Sequence, residues 1–447
     1  LEQNCTPIAG PHREAGLSLI EIMVAMMIFS MIALGVGYAL VSTLTIARDN
    51  KSREIAASIA ASEIDSARAI GNPFSVLDVA AHVVTTTAAE TYTVTRKTAW
   101  VTPTGSASTC GAGGGALQYK RVTVTVSWPK MRSTDPVTSD TLLAPSTRIN
   151  DPSKGTLLIS VLDSRGLGKS GITFTAISSA GSLVTTPTDA DGCSFVLQAP
   201  AGSYTVKLTN TGMVDSTQAA NPSITQTVTV GTSASFPFQY DTAAGFNIKY
   251  ASNIPIPQPK IPTNLDYSFI NSYGVFPLTA TANHVDLHPY TTGYQAVAGK
   301  FSATGCPSVD PEAWAPDTRV SPSLVGVRQP VTPATPGVTT NINVPMGGLV
   351  LTGGTEQYLT AVSQSATPIP GEPSCLTSPA TTMTYAFGNI VPASGTVRIA
   401  LPYGAWKLYT SASPTGTLAI LPAARVQSLL TVGLPPDVNG LFALDAR

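Results

Sequence analysis

The chain has 447 residues, more than one ordinary domain holds, so two to four domains are expected. Only 11% of its residues are charged and the formal net charge is -1, which excludes the basic footprint of a nucleic-acid-binding protein. Its 37 Gly and 36 Pro are spread among apolar and hydroxyl-bearing runs, a composition that reads as an exported β-rich chain with many turns and not as disorder.

The first predicted element is a long helix. From Ile22 to Ala47 no residue is charged. As a helix these about 26 residues span ~39 Å, enough to cross the hydrocarbon core of a bilayer. A cleavable secretory signal would have a shorter apolar stretch followed by an Ala-x-Ala cut. Here the run continues into an Ala-rich amphipathic segment with Ile55, Ile59 and Glu63 at four-residue steps. Asn72-Pro73 is expected to end the helix near Ile70.

One carboxylate, Glu21, interrupts the apolar run that begins at Leu17. The stretch Arg13-Glu14-Ala15-Gly16-Leu17-Ser18-Leu19-Ile20-Glu21 resembles the N-terminal signal of type IV prepilins and type II secretion pseudopilins. That family has a short polar leader ending in Gly, then an apolar residue, with Glu five residues past the cut. The resemblance covers roughly the first 60 residues. It implies that prepilin peptidase cuts between Gly16 and Leu17 and that the new amine of Leu17 is methylated. It also implies that the helix sits in the inner (cytoplasmic) membrane as a precursor, then packs with other pilin subunits in a cell-surface filament. Glu21 is the filament-assembly residue on this reading. The chemistry is coherent. Gly16 lets the cut site enter a protease extended and unhindered. A carboxylate in lipid is costly unless compensated, and Glu21 lies about one turn from the new amine, at the positive end of the helix dipole. The chain departs from the family in having Leu17 where Phe is usual. Arg48, Lys51 and Arg53 follow the apolar run closely, and counted alone they favour the reverse membrane orientation. Composition and cysteines place the C-terminal part outside.

Beyond the helix, Tyr92–Val101 and Tyr119–Trp128 alternate apolar and polar residues and are predicted strands, joined by a Gly-rich loop carrying Cys110. They resemble the small β head of minor pilins, expected over 72–150. Gly155–Leu162, Ile172–Ile177, Thr188–Leu197 and Pro200–Leu208 are predicted strands of a next unit. Its Asp-Gly and Pro-x-Gly-x-Tyr-x-Val pattern resembles carboxypeptidase-regulatory and transthyretin-like β-sandwiches, with Tyr204 filling the core. Gly395–Tyr409 repeats that pattern weakly, with Trp406 in the place of Tyr204. The plan is thus α+β: leader 1–16, pilin helix 17–71, β head 72–150, an Ig-like or transthyretin-like sandwich 151–245, an irregular β module 246–340 and a second sandwich-like domain 341–447.

Five cysteines occur, and loss of Cys5 with a leader leaves Cys110, Cys193, Cys306 and Cys375. In an exported chain these are disulfide candidates, with three connectivities open. No Cys-x-x-Cys pair points to zinc. Gly166-Leu-Gly-Lys-Ser170 lacks the first Gly of a phosphate loop, and Asp189-Ala-Asp-Gly192 lacks the closing Glu of a calcium loop; both read as turns. His284, Asp286 and His288 alternate and would share one face of a strand, read as solvated and not as a metal centre. No cofactor and no catalytic constellation is expected. Three functions are weighed: a minor type IV pilin presenting β modules to a surface ligand, a type II secretion pseudopilin, and a membrane-anchored binding or carbohydrate-active module.

Overall fold

The computed structural model describes residues 18–86, 90–101, 107–110, 119–129, 131, 135–145, 151–279, 282–355, 357–376, 382–429 and 439–447. The expected leader, Gly16, Leu17 and most of the Gly-rich loop lie outside the described residues. The fold is a long N-terminal helix followed by β-sheets, α+β, and the chain divides into two compact units: 1–109 with 117–149, and 110–116 with 150–447.

In the first unit, α1 runs Leu19–Ala69 without a break. It stops where Ile70 caps it and Gly71 takes a φ of +74°, a backbone that costs little without a Cβ. Asn72 then caps the one-turn 3-10 helix Pro73–Ser75 through its side chain. The sheet comprises β1 (Val79–Thr85), β2 (Thr91–Val101), β3 (Ala107–Ser108), β4 (Tyr119–Ser127) and β5 (Val137–Leu143), in the order β1-β2-β4-β5 with β3 beside β2. All pairs are antiparallel. Period-2 alternation sends Val94, Val122, Val124 and Val126 to the face that covers the helix. The helix answers with Ser52, Ala56, Ala60, Ile64 and Ala67, a stripe mostly of small residues on one face. Ile55 and Ile59 flank this stripe.

The second unit begins with a sandwich built from β6 (Gly155–Leu162), β7 (Phe174–Ser178), β8 (Gly181–Ser182), β9 (Cys193–Ala199), β10 (Gly202–Leu208), β11 (Met213–Asp215), β12 (Ser223–Val228) and β13 (Ser233–Thr242). One sheet has the order β12-β10-β7-β8 and the other β11-β13-β6-β9, with β13 and β6 parallel. Between them lie Leu157, Ile159, Val161, Tyr204, Val206, Phe236 and Tyr240. The apolar run of β6, interrupted only by Ser160 after Leu157, follows from its burial on both faces.

The rest of the unit differs from the expected division at 340/341. It contains β14 (Ala244–Tyr250), β15 (Tyr267–Asn271), β16 (Gly274–Leu278), β17 (His284–Leu287), β18 (Gln295–Ala298), β19 (Thr339–Val344), β20 (Gly347–Thr352), β21 (Gln357–Ser363), β22 (Thr384–Val391), β23 (Thr396–Leu401), β24 (Gly404–Ser411), β25 (Ala419–Ile420), β26 (Val426–Ser428) and β27 (Leu441–Leu444). A single hydrophobic core extends through it from Ala244 to Leu444. β19 straddles the expected boundary and pairs in parallel with β14. Other contacts cross it too: Lys260 bridges Ile399, and the Asn253 side chain exchanges hydrogen bonds with the Met346 backbone, while Phe246, Phe269 and Tyr294 meet edge-on or tilted at centroid distances of 5.5–5.8 Å.

Candidate functional site: the N-terminal helix and its buried stripe

Ser18 has extended backbone, and its N–H donates to Glu21 Oε2 at 3.2 Å. Glu21 N–H and Ile22 N–H in turn donate to the Ser18 carbonyl. The carboxylate at the third helical position therefore reaches back to the residue that precedes the helix. Glu21 is exposed.

On both sides of it, the apolar segment has no cover among the described residues. Leu19 is 76% exposed and Phe29 72%, and Leu34, Leu40 and Val41 are exposed as well. This is the one helix among the described residues long and apolar enough to cross a membrane. Its hydroxyls are turned inward on themselves: Ser30, Thr43 and Thr45 donate to the carbonyls four residues earlier at 2.7–2.8 Å. These three hydroxyl protons are satisfied within the helix, as an apolar solvent favours, while Tyr38 is 80% exposed.

The second half of α1 is held under the sheet by more than apolar contact. Arg96 is 8% exposed on the inward face of β2. Its Nη1 donates to Glu63 Oε1 at 2.9 Å, and its Nε to the Leu77 carbonyl at 3.1 Å. Asp78 accepts the Thr98 backbone N–H at 2.6 Å and pairs with Lys97 at 2.8 Å.

The sequence-predicted residues are distributed as follows. Cys110 is bonded to Cys193 and Cys306 to Cys375, so one of the three open connectivities is realised. Gly166–Ser170 is a turn after β6, in which Asp163 accepts from the N–H groups of Arg165 and Leu167. Lys169 reaches Asp241 instead, 2.6 Å away, and this contact with two backbone donors holds the buried carboxyl below its usual range despite desolvation. In Asp189–Gly192 the Asp189 carboxylate accepts from Asp191 and Cys193 N–H groups, closing a turn on itself. Gly192 there has a φ of +76°, and a Cβ would lie 2.2 Å from the Val161 carbonyl oxygen. The expected row of His284, Asp286 and His288 on one face is not formed, because β17 ends at Leu287. His284 and Asp286 pair at 3.1 Å on the surface, while His288 is fully buried and its Nδ1 contacts the Val214 carbonyl. Among the described residues no group of three or more His, Cys, Asp or Glu could hold a metal ion.

Residues 11–37 match the family model described as the prokaryotic N-terminal methylation motif. No curated protein matches the chain. Among solved structures, the TIE protein of Bacillus anthracis is 12% identical, with 76% of this chain and 65% of that one aligned and a TM-score of 0.20. This chain thus spans a little under two thirds of that protein. The streptococcal ancillary pilin is 11% identical over 50% of this chain and 75% of that one, with a TM-score of 0.19. BcpA, the major pilin subunit of Bacillus cereus, is 10% identical over 60% and 92%, also at 0.19. Likeness at this level carries no functional argument.

Proposed function

We propose that the chain is a minor type IV pilin: a membrane-inserted precursor whose N-terminal helix enters a cell-surface filament, and whose β units are displayed for adhesion or surface interaction. The observation that carries this reading is the continuity of three features. The methylation motif over 11–37 runs into an uncovered apolar helix, and the same helix then docks an Ala stripe under a small antiparallel sheet. An apolar surface of this extent on a helix is costly in water and needs either lipid or neighbouring subunits. Two environments in succession, first a bilayer and then a bundle of like helices, would satisfy it. The size of the β region after residue 150 favours a rare or terminal position in the filament, since many copies would crowd one another.

Gly16 and Leu17 are assigned to processing and Glu21 to assembly, with prepilin peptidase and other pilin subunits as partners. Mass spectrometry of the mature N-terminus tests the proposal. The expected chain begins at Leu17 with a methylated amine. A chain that keeps residues 1–16 in cells with active prepilin peptidase overturns it and leaves a tethered β protein.

A further inference from the structure

The buried stripe of α1 ends at Ser52, but the face that carries it runs on. One turn and more towards the N-terminus the same face continues through Asp49, Thr45 and Val41, and here the end of the sheet overhangs the helix. A cleft of about 500 Å³ results, floored by Val41, Leu44, Arg48 and Asp49 and roofed by Glu90 and Trp128. That is large enough for a small ligand. Its charged groups are one cation and two carboxylates, beside the hydroxyls of Thr45, Ser52, Thr91 and Tyr92. Among the described residues the side chains of Arg48 and Asp49 make no ion pair or hydrogen bond with one another or with any neighbour. The Glu90 carboxylate accepts a hydrogen bond from the Tyr92 hydroxyl at 3.1 Å. Lys51 and Arg53 are not part of the lining.

Depth along the helix decides what such a cleft meets. From Leu19 to Val41 the helix rises ~33 Å. The hydrocarbon core is ~30 Å thick. A helix that enters it near Leu19 leaves it just before Val41, so the mouth of the cleft opens into the headgroup layer. Trp128 at the rim fits the aromatic belt that marks that layer.

We propose that in the membrane-inserted precursor this cleft binds a zwitterionic phospholipid headgroup carrying a protonated amine, its phosphate on Arg48 and its ammonium on Asp49 and Glu90. A guanidinium and a phosphate pair by charge-assisted hydrogen bonds, and a primary ammonium supplies the donors that two otherwise acceptor-only carboxylates need. A headgroup with net negative charge would face two carboxylates with one guanidinium. The bound lipid would fix the depth and rotation of the sheet on the membrane until the subunit enters the filament.

The site rests on the membrane-inserted precursor of the proposed function, so the test separates the two. The full chain is expressed without prepilin peptidase, and its membrane integration is checked by alkaline extraction. Extraction into the soluble fraction sinks the precursor reading itself. The integrated chain is then placed in mixed nanodiscs of phosphatidylethanolamine, phosphatidylglycerol and phosphatidylcholine, and the lipids it retains are counted by native mass spectrometry. Retention of the ethanolamine lipid is expected to exceed that of either other lipid by roughly tenfold, the worth of one charge-assisted contact. Asp49→Asn with Glu90→Gln is expected to abolish that preference. Equal retention, or a preference for the glycerol lipid, overturns the site, and choline equal to ethanolamine overturns the assignment of a protonated amine. The unsubstituted comparison needs no variant, so a substitution that misfolds does not shield the proposal.

Discussion

Arg96 on β2 and Glu63 on α1 form an ion pair that ties the helix to the sheet, 2.9 Å apart with side chains only 10% and 20% exposed, beside a hydrogen bond from Arg68 to Thr141. Arg96→Met keeps the apolar stem but leaves Glu63 facing a covered surface without its partner. Breaking a largely buried pair in this way costs about 3 kcal/mol. Glu63→Gln retains a hydrogen-bond acceptor and is expected to cost about half as much. Denaturant unfolding of the detergent-solubilised chain, followed by Trp emission, measures both. Equal and negligible effects would show that the Ala stripe alone positions the helix.

Glu21→Leu makes the apolar segment more hydrophobic, so membrane insertion is expected to be retained or improved. Filament incorporation, measured by sheared-surface fractions, is expected to fall at least tenfold. Unchanged incorporation would remove Glu21 from assembly and leave it as a helix cap for Ser18.

Tyr204 and Trp406 occupy the same place in two halves of the second unit. Tyr204 Oη donates to the Pro200 carbonyl at 3.0 Å, and Trp406 Nε1 donates to the Pro402 carbonyl at 2.9 Å. Both reach back four residues across a Pro-x-Gly turn. Tyr204→Phe is expected to cost about 1 kcal/mol, one hydrogen bond to a covered carbonyl. Tyr204→Ala should cost about 3–5 kcal/mol through the cavity it leaves. Calorimetry of the two variants separates the contact from the packing.

Two buried groups tilt stability in opposite directions with pH. Burial holds His288 below the ordinary imidazole range. Below about pH 6.5 the unfolded chain binds a proton that the fold resists, so stability falls as the pH drops. Burial pushes the Glu372 carboxyl up to about 8 from the usual 4.5. Between those values the unfolded chain releases a proton that the fold keeps, so this contribution is present at pH 4.5 and is lost as the pH rises to about 8. Each limb slopes by at most about 1.4 kcal/mol per pH unit. Glu372→Gln is expected to flatten the alkaline limb of a urea-midpoint profile and His288→Gln the acid limb. A profile that neither variant changes would show that other groups control it.

Much of this organisation is readable from residue order, and the exceptions have physical causes. The helix and its end at Asn72-Pro73, the alternation of β2 and β4, and the Tyr204 and Trp406 correspondence all follow from local pattern. β1 and β5 carry few large side chains and pass unnoticed. In α1 the four-residue steps of Ile55, Ile59 and Glu63 stand out in the sequence, whereas Ala56 and Ala60 are the residues fully buried. Close approach of helix to sheet selects the smaller side chain, and a period-four count of Ala would have found it. In the C-terminal region the parallel pairing of β14 with β19 joins segments some ninety residues apart. No local pattern carries such a pairing, and the Pro-rich stretch between them conceals that one core is shared. For the candidate site, Gly16, Leu17 and Glu21 are legible as a motif, while the cleft above Arg48 depends on where the sheet happens to end.

Cys110 and Cys193 are 83 residues apart in the chain and joined through sulfur. Suppose the helix is held in a filament and the far end of the molecule is gripped by a surface. Tension then travels from α1 through β2 to Cys110 and crosses directly to β9. The intervening residues, β4 to β8 included, lie outside the stretched path and cannot lengthen it. Reduction would release them, adding roughly 280 Å of extensible chain at about 3.4 Å per residue. The bond thus sets how far the protein can be drawn out before it lets go of what it holds.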